Sequence, residues 1–151
     1  MNETNLPTHN DAQLRAAMQR QLDDIMAGDP NRIMYMLAPS LVDANFGERE
    51  VLLRYGVSPW MLNISGILHG GILATMIDNS MGVFCRAFTG KSILTLNLQV
   101  SYAAAVRPEN EWVQIRCRIT TLTNRFAHLY AAASTEEGGP TASSTGIVYL
   151  K

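Results

Sequence analysis

The sequence predicts an α+β domain in which an antiparallel β-sheet packs on one long helix, with an extra helix in front. Three observations carry this. Apolar residues recur at helical spacing over one long run, roughly residues 70–87. Four β-like runs follow it, at residues 92–104, 112–123, 126–135 and 141–150. A further pair of strand-like segments precedes it, and strands on both sides of a single helix describe a sheet packed on that helix.

The elements follow in order. The opening MNETNLPTHN is polar, with neither a basic nor an apolar region, so residues 1–10 read as a disordered leader and not as a secretion signal. From Asp11, residues Leu14, Ala17, Met18, Leu22, Ile25 and Met26 form a helical stripe that Gly28 and Pro30 end. That stripe needs a sheet or a partner to cover it. An apolar segment at 33–37 leads into Pro39, so residues 11–40 form a helical extension to a domain at 41–151. SLVDANF and REVLLRYGV flank Asn45-Phe46-Gly47-Glu48 and read as a hairpin. Thr123-Asn124-Arg125 and residues 136–140 are the later hairpin breaks.

Composition excludes several classes of partner. The 151-residue chain is one domain's worth, 47% apolar and 17% charged, with a formal net charge of −1. No block of Lys and Arg supplies an electrostatic footprint for nucleic acid. The longest near-apolar stretch, residues 64–77, is broken by Ser65, His69 and glycines, short of the roughly 18–20 apolar residues of a membrane helix. Cys85 and Cys117 sit in apolar patterns and read as buried free thiols of a cytoplasmic protein. Sparse charge suggests apolar surface covered by other subunits.

The central helix, GGILATMIDNSMGVFCRAF, carries the chemistry. At 100° per residue, Ile72, Met76 and Val83 fall on one flank, and Leu73, Ile77 and Phe84 on the other, together an apolar arc suited to a sheet. Around Asp78 sit Gly71, Ala74, Thr75, Gly82 and Cys85, with Met81 at the edge. Asp78 is the only formal charge between Gly70 and Cys85. A lone carboxylate in such surroundings is costly to desolvate unless donors compensate, and charges held this way gather at functional sites. The plainer alternative is a carboxylate that caps something or meets solvent.

Leu68-His69-Gly70-Gly71 opens the helix, whose free first-turn amides suit an oxyanion or polarised carbonyl. The two glycines let a substrate approach the backbone, or simply make a tight helix entry. Eight residues of helix separate Gly70 from Asp78 by about 12 Å, whereas reacting groups converge within roughly 3–3.5 Å. If both act on one carbonyl, the site is composite and the protein at least a dimer, with two antiparallel helices meeting through their small faces.

Asn63-Ile64-Ser65-Gly66-Ile67-Leu68-His69-Gly70-Gly71, six residues and then Asp78 resembles the Asn…Gly…His-Gly-Gly-x6-Asp signature of the PaaI-type hotdog thioesterases. The Thr95…Tyr102 strand and Arg107-Pro108 resemble that family's next segment, and the likeness spans residues 41–151. It implies the hotdog fold, an antiparallel sheet wrapped around one long central helix, with dimers joined edge to edge, commonly tetramers, and metal-free hydrolysis of acyl-CoA or acyl-carrier thioesters. CoA would enter only as part of the substrate, with no cofactor. By position it implies Asp78 as nucleophile or general base, the Gly70 amide as the group polarising the carbonyl, and Gly71 beside it against the substrate. Asn63 would orient the carbonyl or the water, His69 would hold the helix start, and Thr95 would position the water. Arg125 would meet the CoA phosphates, although Asn124 stands where the family shows Gly.

One tension remains in the strand. Strict alternation sets Thr95 opposite Leu94, Leu96, Leu98 and Val100. If those residues cover the helix, Thr95 reaches a site only through a neighbouring subunit or a bulge. His9 and His128 lack partners at metal-ligand spacing, and no Gly-x-Ser-x-Gly elbow, P-loop or dinucleotide fingerprint occurs. Two other functions stay open: a non-catalytic acyl-CoA-binding module, and a hydratase or dehydratase on the same scaffold.

Overall fold

The computed structural model describes residues 6–151. Helix α1 (Asp11–Met26) and the short α2 (Ile33–Leu37) lead into the hairpin β1 (Ser40–Asn45) and β2 (Glu50–Gly56). A 3₁₀ turn (Pro59–Met61) precedes the long helix α3 (Gly70–Thr89), and β3 (Ile93–Tyr102), β4 (Trp112–Leu122), β5 (Phe126–Thr135) and β6 (Pro140–Leu150) complete the chain. The six strands form one open antiparallel sheet in the order β1-β2-β4-β5-β6-β3 around α3, the hotdog arrangement.

Helix α3 runs one half-turn beyond the residues whose periodicity predicts it. Gly90, at φ 69°, takes the left-handed position that ends it and donates its N–H to the Arg86 carbonyl at 2.9 Å. Leu73, Met76, Ile77, Met81, Phe84 and Phe88 are buried and form the spine of the core. The sheet closes tightly on that spine. A Cβ on Gly146 of β6 would lie 2.7 Å from Met81 Sδ, so any side chain there would have to displace the methionine. Tyr55 crosses from β2 to share hydrogen bonds with the Met76 carbonyl (3.1 Å) and Ser80 Oγ (2.7 Å), which pairs its phenol inside the core. Burial pushes that phenol above its ordinary pKa.

The stripe of α1 is covered by its own chain. Leu14, Met18 and Leu22 are buried where α1 packs on β1 and α3. Asn10 caps the helix by accepting the Gln13 N–H at 2.9 Å. Asp11 accepts the Phe46 N–H at 2.7 Å, and Arg15 pairs with Asp43 at 2.8 Å, so β1 and the turn after it are tied to α1. Segment 33–37, read from sequence only as apolar, is a single helical turn anchored by buried Leu37. Of the expected disordered leader, residues 1–5 lie outside the described residues. Its second half is packed: Leu6 and Thr8 are buried, and Thr8 Oγ1 donates to the Phe88 carbonyl at 3.4 Å. Among the described residues no helix is long and apolar enough to cross a membrane.

Candidate active site

Asp78 sits halfway along α3, half-buried, with its carboxylate turned toward β3. Thr95 Oγ1 donates to Asp78 Oδ1 at 2.8 Å. A β-bulge makes this contact possible. Thr95 pairs with Val148 and Asn97 with Ile147, which leaves Leu96 as an extra, unpaired residue of β3. Before the bulge Ile93 and Thr95 face the helix, while Leu94 and Leu96 are 50% and 54% exposed on the outer side. Beyond it the parity is reversed, and Leu98 and Val100 pack toward the core. The leucines flanking Thr95 therefore do not cover their own helix.

The small-residue face is narrower than 100° spacing implies. Gly71, Thr75, Asp78, Asn79 and Gly82 remain wholly or partly accessible, but Met81 and Cys85 are buried. The sheet wraps far enough around α3 to take in the flank where those two lie. Burial pushes the Cys85 thiol up to about 12 and raises that of Cys117 as well.

The start of α3 is built by a tethered loop. Asn63 Oδ1 accepts from the Ser65 N–H (2.9 Å) and the Ile67 N–H (3.4 Å), while Gly66 turns at φ 72°. The Leu68 N–H donates to the Val106 carbonyl and the His69 N–H to that of Met61, both at 2.9 Å. His69 is the N-cap, its Nδ1 accepting the Gly71 N–H at 2.9 Å. That bond occupies the Gly71 amide. The Gly70 amide enters no hydrogen bond among the described residues and is left to an outside acceptor.

Tyr102, at the far end of β3, also belongs to this region, although its sequence context does not single it out as a site residue. Its hydroxyl donates to the Gly70 carbonyl at 2.6 Å, and a Cβ on Gly70 would lie 3.2 Å from its ring. The contact spans 32 residues of sequence, and no local pattern announces it. Asn79, next to Asp78, is equally unmarked in the sequence; its Nδ2 is buried without a partner among the described residues.

Two separate hollows result. One, of 650 Å³, holds Asp78, Asn79 and Thr95 and is walled on its far side by residues between Gln21 and Tyr35. The other, of 340 Å³, holds Asn63, Gly70 and Tyr102. Within one chain, Asp78 and Thr95 come together, and Asn63, His69, Gly70 and Gly71 come together, but the two groups open into different spaces. Arg125 stands apart from both, in the exposed β4–β5 turn, where its N–H donates to Thr123 Oγ1 at 3.3 Å and its carbonyl accepts from Leu150. Among the described residues no three His, Cys, Asp or Glu side chains converge as a metal-binding set.

Residues 65–142 match the model of the thioesterase superfamily, a span that includes His69, Gly70, Asp78 and Thr95 and covers half the chain. The chain belongs to the thioesterase superfamily. Among thioesterase relatives, bovine acyl-coenzyme A thioesterase THEM4 is 32% identical over 62 residues, which are 41% of this chain and only 24% of that one. The PaaI protein from the phenylacetic acid degradation operon of E. coli superposes with a TM-score of 0.78 at 12% identity, over 91% of this chain and 96% of that one. A hypothetical thioesterase from Streptococcus pneumoniae TIGR4, solved with coenzyme A, gives a TM-score of 0.67 at 19% identity, over 75% and 88% of the two chains. Helices α1 and α2 lie outside the segment that matches the thioesterase model.

Proposed function

We propose that the protein hydrolyses acyl-CoA thioesters at a site assembled from two copies of the chain. The observation that carries this reading is the Asp78–Thr95 hydrogen bond, made inside the thioesterase-matched segment and opening into a 650 Å³ cavity. The likeness to a protein solved with coenzyme A supports CoA as the carrier of the acyl group.

The chemistry needs three things: a group to deliver oxygen to the carbonyl carbon, donors for the charge that develops on the carbonyl oxygen, and departure of the thiolate. Asp78 supplies the first, either by direct attack or by taking a proton from the attacking water. Thr95 fixes Oδ1 and leaves Oδ2 free, while its own hydroxyl oxygen can accept a hydrogen bond from that water. The unoccupied Gly70 amide supplies the second, at a helix N-terminus whose dipole favours negative charge. Asn63 has its Oδ1 engaged in the loop and keeps its amide N–H groups for the carbonyl or the water. His69 acts by holding the helix start, and Gly71 by leaving the backbone open to the substrate. Arg125 lies in neither hollow and would reach a CoA phosphate only outside them.

Gly70 and Asp78 serve one carbonyl when they come from different subunits. β3 is an edge strand, paired on one side only, by β6. The proposed dimer joins two copies through this edge, with their α3 helices side by side and antiparallel and the smaller hollow of one facing the larger hollow of the other.

A thiol-release assay over a panel of acyl-CoAs, with Asp78→Ala beside the wild type, tests the proposal. The wild type releases CoA, and the variant loses at least about 100-fold in kcat, the scale of a removed acid–base group. Equal rates overturn the role of Asp78. Tight acyl-CoA binding without release points to a binding module, and loss of a double bond without release points to a hydratase.

A further inference from the structure

We infer that the elbow between α1 and α2 is the acyl-selecting wall of the Asp78 cavity, suited to an uncharged, apolar acyl group larger than acetyl. The inference deepens the thioester hydrolysis proposed above and rests on it. The cavity is bounded on one side by α3 and β3, which carry Asp78 and Thr95, and on the other by the elbow. Ile25, Met34 and Tyr35 of the elbow stand half-buried across from Val83 and Ile93. Asp24, Asp29, Arg32 and Arg86 also line the cavity but are exposed to solvent, so an apolar chain bonded to a carbonyl at Asp78 has the half-buried apolar side chains to run along. At 650 Å³ the space falls in the range of small-molecule sites, and an acetyl group would leave most of it empty.

The wall is fixed in place. Leu22 before it and Leu37 after it are buried. Asp29 Oδ1 accepts the Asn31 N–H at 2.9 Å and the Asp29 carbonyl accepts the Arg32 N–H at 3.1 Å, so the bend between the helices is a hydrogen-bonded turn. Ala38, in the left-handed conformation at φ 44°, ends α2 by donating its N–H to the Met34 carbonyl at 3.1 Å. Yet the elbow keeps apolar side chains in solvent, with Met26, Ile33 and Met36 each more than 40% exposed. Of these, Ile33 lines the cavity itself and offers apolar surface to a ligand there.

The full-length protein is assayed with straight-chain acyl-CoAs from acetyl to tetradecanoyl, and with phenylacetyl-CoA, alongside Met34→Ala, Met34→Trp and Ile33→Ala. In the wild type kcat/KM rises about fourfold per methylene until the wall is reached, following the transfer of each group from water. Met34→Ala moves that plateau to longer chains. Met34→Trp moves it to shorter ones and lowers the longer substrates at least about tenfold, while acetyl-CoA, which does not reach the elbow, stays within about twofold. Ile33→Ala shortens a side chain that is 41% exposed, so it changes the long-chain rates at small cost to folding. Chain-length profiles identical to wild type in all three variants overturn the inference, as does an acetyl-CoA rate that falls in parallel with the rest. No thiol release from any thioester by the wild type would instead overturn the hydrolase reading beneath it.

Discussion

Thr95 reaches Asp78, at 2.8 Å from hydroxyl to carboxylate, because the next residue, Leu96, is squeezed out of the β3–β6 ladder. The bulge performs two tasks at once. It lets Thr95 face the helix at the Asp78 level and still returns Leu98 and Val100 to the core. Thr95→Ser keeps the donor and is expected to retain most of the wild-type kcat. Thr95→Ala leaves the carboxylate without its partner and is expected to lose about 10- to 100-fold, since hydrogen bonds to charged groups contribute about 1.5–3 kcal/mol. Steady-state thiol release on both variants decides it. Equal losses in the two would show that the hydroxyl is not the operative group.

Tyr102 and Gly70 form the second such contact. Tyr102→Phe removes the bond to the Gly70 carbonyl but leaves the ring against the helix start. A neutral hydrogen bond is worth about 1 kcal/mol, so kcat is expected to fall about fivefold with KM unchanged. A fall in thermal stability at unchanged kcat would assign the bond to folding alone.

These two contacts mark the boundary of what the sequence makes legible. Element types and order follow from periodicity, because α3 repeats near 3.6 and the strands near 2, and each period is local. Asp78 and the Gly70 amide stand out for the same reason: one breaks an apolar run, and the other begins it. The bulge at Leu96 has no such signature, since a leucine among leucines does not announce that it is unpaired. Nor does angular position on a helix tell how far a sheet curls round it, and so Cys85 reads as part of the small face although it is buried. The α1 stripe is visible in sequence, but where its elbow lands depends on contacts such as Arg15–Asp43 that join distant residues.

The closeness of sheet and helix at Gly146 has a measurable cost. Gly146→Ala places a methyl group 2.7 Å from Met81 Sδ, and overpacking of this kind costs about 1–3 kcal/mol. Met81→Ala alone opens a cavity costing about 2–5 kcal/mol. The two changes occupy one space, so the double variant is expected to be more stable than the sum of the singles predicts. Urea denaturation of all four proteins measures the coupling, and strict additivity would mean that the methionine does not meet the sheet there.

The buried thiols set an alkaline limit. Cys85 goes from an ordinary value of 9.0 to about 12 on burial, and Cys117 is raised too. Above pH 9 the unfolded chain loses these protons while the folded chain keeps them, so stability falls as pH rises. The contribution is complete below pH 9 and is lost as pH climbs toward 12, with a slope of about 1.4 kcal/mol per pH unit for each thiol that differs. Denaturation midpoints measured from pH 8 to 11 are expected to stay level and then drop. Cys→Ser variants would confuse this test with buried hydroxyls, so Cys85→Ala is the control, and its drop should be shallower. At pH 8 neither thiol in the native protein should react with an aromatic disulfide within minutes.

A composite site makes a prediction that no single-chain site shares. Asp78→Ala disables every site in its homodimer, and Gly70→Val does the same by blocking approach to the amide. When the two variants are unfolded together and refolded, half of the dimers contain one copy of each. In those mixed dimers one site carries both defects, and the other carries neither, because it takes Asp78 from the valine variant and Gly70 from the alanine variant. Thiol release should therefore recover to about a quarter of the wild-type rate, given the two-fold exchange of parts between subunits. Were each site complete within one chain, mixing would restore nothing, and the separation of the two hollows in the monomer would have to be closed by a movement of the chain itself.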